Sequence, residues 1–124
     1  MSEIEASKLT LFVEFSDGLD TLIKDGLLEK VDGRLQTTIR LSKHQQQCDP
    51  PRPANMRDLV EYIRDNCIKG NSKDMFYMEN GVRPGILVLI NDMDWELTDD
   101  GVDKYDQALE DNSNIIFIST LHGG

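Results

Sequence analysis

Ile86-Leu87-Val88-Leu89-Ile90 is an unbroken apolar run, closed on one side by Arg83-Pro84-Gly85 and on the other by Asn91-Asp92. Turn-forming residues at both ends leave room for a strand but not for a helix of ordinary length. An apolar side chain at every position, instead of every second one, predicts a strand buried on both faces. A chain that must place such a strand inside a sheet needs neighbours on either side of it, and the remaining sequence supplies them.

Leu9, Leu11, Val13 and Phe15 alternate with Thr10, Phe12, Glu14 and Ser16, and Thr37, Ile39 and Leu41 alternate with Thr38 and Arg40. Period two makes each a strand with one core face. Ile115-Ile116-Phe117-Ile118 is a further strand, and Trp95-Glu96-Leu97 is a candidate for a short one. One segment has the other periodicity. Met56, Leu59, Val60, Ile63 and Cys67 recur at helical spacing, with Asn55 as N-cap and Asp58 in the first turn, where a carboxylate favours the helix dipole. Cys67 falls on the apolar stripe and reads as a small core residue. Gly70-Asn71 would end the helix through a left-handed residue.

Between these elements, Ser16-Asp17-Gly18 and Val31-Asp32-Gly33-Arg34 read as turns. Residues 19–28 fit either a short helix or a packed loop, and residues 102–109 could hold a helical turn. Residues 43–53 contain Gln45-Gln46-Gln47 and the prolines Pro50, Pro51 and Pro53, which suit neither a helix interior nor a central strand. This stretch reads as a loop insertion. The order strand, strand, helix, then two or three strands predicts an α+β domain, a mixed sheet of four to five strands packed on one main helix. At 124 residues, with no internal repeat, the chain is expected to form a single domain over 1–124.

The formal charge of -10 narrows the partners. Binding to nucleic acid rests on Lys and Arg neutralising phosphates, so neither direct nucleic-acid binding nor an anionic membrane is expected. Basic protein surfaces are favoured partners in encounter, although plain solubility would account for the same charge. The two cysteines, Cys48 and Cys67, form no CxxC pair and no zinc-spaced cluster, and Met1-Ser2-Glu3-Ile4-Glu5 has no apolar leader segment. No apolar run approaches spanning length. Both thiols are expected free in a reducing compartment, with the protein cytoplasmic and a nuclear pool allowed.

The sharpest candidate for chemistry is the end of the chain, Leu121-His122-Gly123-Gly124. Two terminal glycines occur by chance in roughly one chain in two hundred at a glycine usage of about 7%. Without Cβ atoms they form a slim carboxylate-bearing tail that can thread a narrow channel. Adenylation would supply the leaving group a carboxylate lacks, and a thiol, persulfide or amine could then attack the carbonyl. The plainer reading is a frayed terminus.

Other constellations are weaker. Asp92, Asp94 and Glu96 alternate, but Leu97 stands where a calcium loop needs glycine, so they read as the polar rim of a strand end. Cys48 and His44 lie in the Gln-rich loop without a catalytic signature, and a free surface thiol is the simpler account. Arg83-Pro84-Gly85 is a turn before it is an anion site. Neither GxGxxG nor GK[ST] occurs, so ATP would have to be bound elsewhere.

Val82-Arg83-Pro84-Gly85-Ile86-Leu87-Val88-Leu89-Ile90-Asn91-Asp92, with Asp94-Trp95-Glu96-Leu97 behind it, resembles the signature of the ubiquitin-related modifier 1 family. The ending Phe117-Ile118-Ser119-Thr120-Leu121-His122-Gly123-Gly124 is similar to that family's C-terminus residue for residue. Residues 43–53 depart from the pattern. The resemblance implies the β-grasp fold of ubiquitin and of the bacterial sulfur carriers. It implies an E1-like adenylyltransferase/sulfurtransferase as partner, which uses ATP to adenylate Gly124 and converts it to a thiocarboxylate. It further implies sulfur transfer through a thiouridylase to the wobble uridine of cytosolic tRNAs, and isopeptide linkage to lysines of target proteins. Leu121, His122 and Gly123 would then be the tail the activating enzyme reads. On this reading the chain is a carrier and modifier with no bound cofactor, no metal and no catalytic residue of its own. Two alternatives stand beside it. One is a ubiquitin-like interaction domain that is never activated, and the other is a small hydrolase or metal protein using Cys48 or Asp92. The face for the activating enzyme is expected in an exposed apolar patch beside the last strand.

Overall fold

The alternation at the start of the chain becomes strand β1 (Lys8–Ser16), with Leu9, Leu11, Val13 and Phe15 buried and the residues between them turned to the opposite face. The computed structural model describes residues 7–45, 51–97 and 103–120 and sets β1 within a six-stranded sheet. The other strands of that sheet are β2 (Glu29–Val31), β3 (Arg34–Ser42), β8 (Ile86–Ile90), β9 (Met93–Asp94) and β10 (Ser113–Ser119). Their order is β2-β3-β1-β10-β8-β9. β1 and β10 run parallel, with Val13 beside Ile115 and Phe15 beside Phe117, and every other pairing in the sheet is antiparallel. The sheet is mixed, as expected, and gains two short edge strands that the alternation did not mark.

Two hairpins have the turn chemistry their strands need. Asp32 (φ 52°) and Gly33 (φ 81°) join β2 to β3, and Asn91 (φ 49°) and Asp92 (φ 70°) join β8 to β9. Two consecutive left-handed residues match the twist of the flanking strands, which is why Asn, Asp and Gly occupy them.

Helix α1 (Met56–Asn66) packs Met56, Leu59, Val60 and Ile63 onto one face of the sheet. Its N-terminus carries a reciprocal cap. The Asp58 N–H donates to Asn55 Oδ1 and the Asn55 N–H donates to Asp58 Oδ2, both at 3.0 Å. Its C-terminus differs from the expectation. The N–H groups of Cys67 (2.9 Å) and Ile68 (3.2 Å) both donate to Ile63 O, and Gly70-Asn71 open a 3-10 helix, Gly70–Met75. Both bonds converge on one carbonyl, the second reaching back from Ile68 to Ile63, and Cys67 closes the helix at φ -112°, so no left-handed glycine is required there.

Residues 19–28 resolve into both alternatives. Leu19–Leu22 is a 3-10 turn, and the chain then packs along the end of α1, with Lys24 N–H donating to Cys67 O and Lys69 N–H to Leu22 O, each at 2.8 Å. The 43–53 stretch is not wholly loop. β4 (His44–Gln45) pairs with β5 (Arg52–Pro53) at its base. Arg52 reaches Asp58 through two nitrogens at 2.7 and 2.8 Å, tying this stretch to the helix cap. Cys48 lies outside the described residues.

The apolar run in β8 differs most from its sequence reading. Only Val88 is buried, and Ile86, Leu87, Leu89 and Ile90 are half-buried. One helix covers one face of the sheet, and among the described residues no layer lies over the second face of β8. The strand expected at Trp95 falls one step earlier, at β9. Trp95–Leu97 is a 3-10 turn that buries the indole, whose Nε1–H donates to Lys104 O at 3.0 Å. Lys104–Asp106 is the helical turn expected within 102–109. β6 (Tyr77–Met78) and β7 (Gly81–Val82) form a separate hairpin. Phe117 joins these parts in the core, stacked on Phe15 at 5.6 Å and edge-on to Phe76 at 5.3 Å.

Candidate functional site at the C-terminal exit

Before its last residues the chain runs through β10, held between β1 and β8. Ser119 pairs with Ile86 across the ladder. One residue on, Thr120 N–H donates to Gly85 O at 2.8 Å, and Thr120 Oγ1 donates to the same oxygen. That carbonyl is presented by a turn. Ile86 N–H donates back to Arg83 O at 3.2 Å, and Gly85 stands at φ 101°. Pro84 presets the first central position of a type II turn and Gly85 supplies the positive φ of the second. The Arg-Pro-Gly sequence thus builds the abutment on which the last strand ends. The tail itself, Leu121, His122, Gly123 and Gly124, lies outside the described residues.

Beside the exit, the uncovered face of the sheet carries a patch. Leu89 lies opposite Ile116 and Leu87 opposite Ile118, all four half-buried. These are the positions between the core residues Val88, Ile115 and Phe117, so the continuous apolar pattern of β8 and β10 serves two faces. Four aliphatic side chains beside the exit form a surface that a partner can desolvate. The signal for it was present in the sequence, as apolar runs without alternation, but it read as double burial. The same sheet face also bears an open groove of about 400 Å³, lined among others by Phe12, Glu14, Arg34, Asp92 and Asn114. Arg34 lies 3.8 Å from Glu14 there, and the lining has no His, Cys or Ser to act as base or nucleophile.

The weaker candidates are engaged elsewhere. Asp92 forms the β8–β9 turn, Asp94 Oδ1 accepts the Glu96 N–H at 2.9 Å, and Glu96 pairs with Lys104. Among the described residues no group of His, Cys, Asp and Glu has the arrangement to hold a metal ion. Cys67 is buried, and burial pushes its thiol up from the ordinary range despite the nearby Lys24 charge, so it stays protonated and inert. His44 sits in β4, without the thiol partner considered for it among the described residues. Arg83 donates to Asp74 O at 3.1 Å, which supports its reading as a turn residue.

The profile of Urm1 (Ubiquitin related modifier) matches residues 10–124, from β1 through both terminal glycines. The chain belongs to the ubiquitin related modifier family. Ubiquitin-related modifier 1 of Aspergillus oryzae is 43% identical over 116 residues, covering 94% of this chain and 84% of that protein. Its counterpart in Gallus gallus is 39% identical over 119 residues, covering 96% and 99%. Among solved structures, Urm1 from Trypanosoma brucei superposes with a TM-score of 0.59 at 29% identity, with full coverage of both chains. The mixed sheet on one helix is therefore the β-grasp fold of this ubiquitin-like modifier family. The exit at Thr120 and the patch beside it are the parts of the described structure that lead to the two terminal glycines in sequence.

Proposed function

We propose that this chain is a sulfur carrier and protein modifier whose reactive atom is the carbonyl carbon of Gly124. An E1-like enzyme supplies ATP. The Gly124 carboxylate attacks its α-phosphorus, pyrophosphate leaves, and an acyl adenylate results. A persulfide of the activating system displaces AMP, and reductive cleavage of the S–S bond by a thiol leaves a thiocarboxylate. That sulfur passes through a thiouridylase to the wobble uridine of cytosolic tRNAs. An amine attacking the same activated carbonyl gives an isopeptide bond to a target lysine. Leu121, His122 and Gly123 thread the activating enzyme, and the half-buried patch of Leu87, Leu89, Ile116 and Ile118 docks against it. The chain uses no resident cofactor, contributes no catalytic residue and works in the cytoplasm.

The family match that runs through Gly123 and Gly124 carries this reading. The net charge of -10 supports leaving the grip on tRNA to the thiouridylase. High-resolution mass spectrometry of the C-terminal peptide tests it. Oxygen-to-sulfur exchange nearly equals a methionine oxidation in mass, so fragmentation must localise the shift to Gly124. A thiocarboxylate there is the expected result. A plain carboxylate, even after incubation with activating enzyme, ATP and a sulfur donor, would leave only an interaction domain.

A further inference from the structure

Among the described residues the sheet has one long open edge. β2 pairs with β3 only along Arg34, Leu35 and Gln36, and β3 continues to Ser42. The phase of the hydrogen bonds shows which groups face that edge. Lys43 N–H donates to Ser7 O at 2.7 Å, directly after the ladder in which Lys8 pairs with Ser42. In an antiparallel ladder the bonded pairs alternate, so Ile39 and Leu41 turn their backbone groups to β1, and Thr38, Arg40 and Ser42 turn theirs away from it. Among the described residues no strand takes them up. A row of unpaired N–H and C=O groups is a template for an added strand.

The side chains say which strand would fit. Thr38, Arg40 and Ser42 are exposed on the patch-bearing face, and Thr37, Ile39 and Leu41 are buried on the helix side. Arg40 stands beside Thr10, Lys8 is the diagonal neighbour beside Ser42, and Lys43 follows. None of the three cations forms an ion pair among the described residues. The nearby Asp111 carboxylate accepts the Thr10 N–H at 2.7 Å. In a chain of net charge -10, this edge is locally basic. A second copy fits poorly, because two-fold antiparallel pairing centred on Arg40 would oppose the two guanidinium groups.

We propose that the β3 edge from Thr38 to Ser42 binds an extended acidic segment of a partner protein by strand addition. Its carboxylates lie at one parity opposite Arg40, with Lys8 one strand further in on the same face, and its apolar residues at the other parity continue the helix-side face. This surface is separate from the chain exit at Thr120 and from the Leu87–Ile118 patch, so one modifier could hold an activating enzyme and an acidic peptide together.

Titrating the isotope-labelled full chain with a synthetic peptide, Asp or Glu at alternate positions and Val at the others, tests this by NMR. The amides of Thr38, Arg40 and Ser42 should shift and become protected from exchange, with weaker binding at high salt. Arg40→Glu should weaken binding about fivefold, on the scale of one exposed charge pair, while Ile118→Asp leaves it unchanged. Thr38→Pro, tolerable on an edge, should abolish protection at that end. Absence of shifts, shifts confined to Leu87 and Ile118, or edge protection that appears with protein concentration alone would each overturn the proposal. The first would leave Arg40 as a charge that blunts the edge against aggregation.

Discussion

Tyr105 occupies the space that a side chain on residue 81 would need. Its hydroxyl accepts the Val82 N–H at 2.8 Å, and a Cβ on Gly81 would overlap that oxygen, with the ring carbon Cζ at 2.8 Å. The contact pins the β6–β7 hairpin, which leads into the Arg83-Pro84-Gly85 turn, against the segment that carries Trp95 and Tyr105. Trp95 and Tyr105 meet edge to face at 4.8 Å, and the Arg57 guanidinium lies 4.9 Å from the Tyr105 ring centre. Gly81→Ala should therefore cost about 1–3 kcal/mol by forced displacement of the ring. Tyr105→Phe should cost about 1 kcal/mol, because the Val82 N–H loses its partner. Urea unfolding of both variants measures the difference, and the C-terminal chemistry should survive in the folded fraction.

The helix cap makes stability depend on acid. Burial raises the Asp58 carboxyl, but the Arg52 hydrogen bonds, the Asn55 N–H and the charges of Arg52 and Arg57 outweigh it and hold the group below its ordinary range. A depressed carboxyl stabilises the fold above its unfolded value of about 3.9, and that stability is lost as pH falls through the lower folded value. Asp58→Ala should cost about 1–2 kcal/mol near neutral pH and flatten the stability profile below pH ~4. Thermal unfolding of both proteins across this range checks the sign.

Thr120 should matter to activation more than to folding. Thr120→Val keeps the shape and the backbone bond to Gly85 but removes the Oγ1 bond. Stability should change by about 1 kcal/mol or less. The KM of the modifier in ATP–pyrophosphate exchange with its activating enzyme should rise, and Thr120→Ser should restore it. An unchanged KM would reduce the clamp to a strand end.

The uncovered patch separates docking from chemistry. Ile118→Asp sits on the half-buried face, so the protein should still fold, while its affinity for the activating enzyme falls by about tenfold or more. Deleting Gly124 should show the reverse, with docking kept and adenylation abolished. Calorimetric binding beside pyrophosphate exchange distinguishes the two.

Cys67 should resist modification. The residue is 4% exposed and burial pushes its thiol up, so in a Cys48→Ser background a disulfide reagent should label it only as fast as the protein opens. Labelling at the rate of an exposed thiol would contradict its place in the core.

Much of this was legible in the chain. The helix, its Asn55 cap and its buried stripe follow from local spacing, because a helix repeats within a few residues and its cap bonds are closed by neighbours in sequence. The same holds for the turns at Asp32-Gly33 and Pro84-Gly85, where φ depends on the residue itself. β2 was missed because three residues are too few to show a period, and Gly70-Asn71 misled because the helix closes at Cys67, before reaching them. The run at Ile86–Ile90 was correct as a strand and wrong in its burial: periodicity counts apolar positions but cannot tell a second covering layer from an open binding face.

The sequence by itself determined which segments are the longer strands, that one amphipathic helix covers them, and that the last two residues are glycines without a Cβ. Those properties are local, set by side-chain alternation, capping and the absence of a Cβ. Only the tertiary structure decided that β10 lies parallel to β1, that Thr120 closes on Gly85, that Leu87 and Ile118 meet beside the exit, and that β3 is left with an open basic edge. Each of these depends on pairing between residues far apart in the chain, and pairing is chosen by the packing of the whole sheet under its one helix.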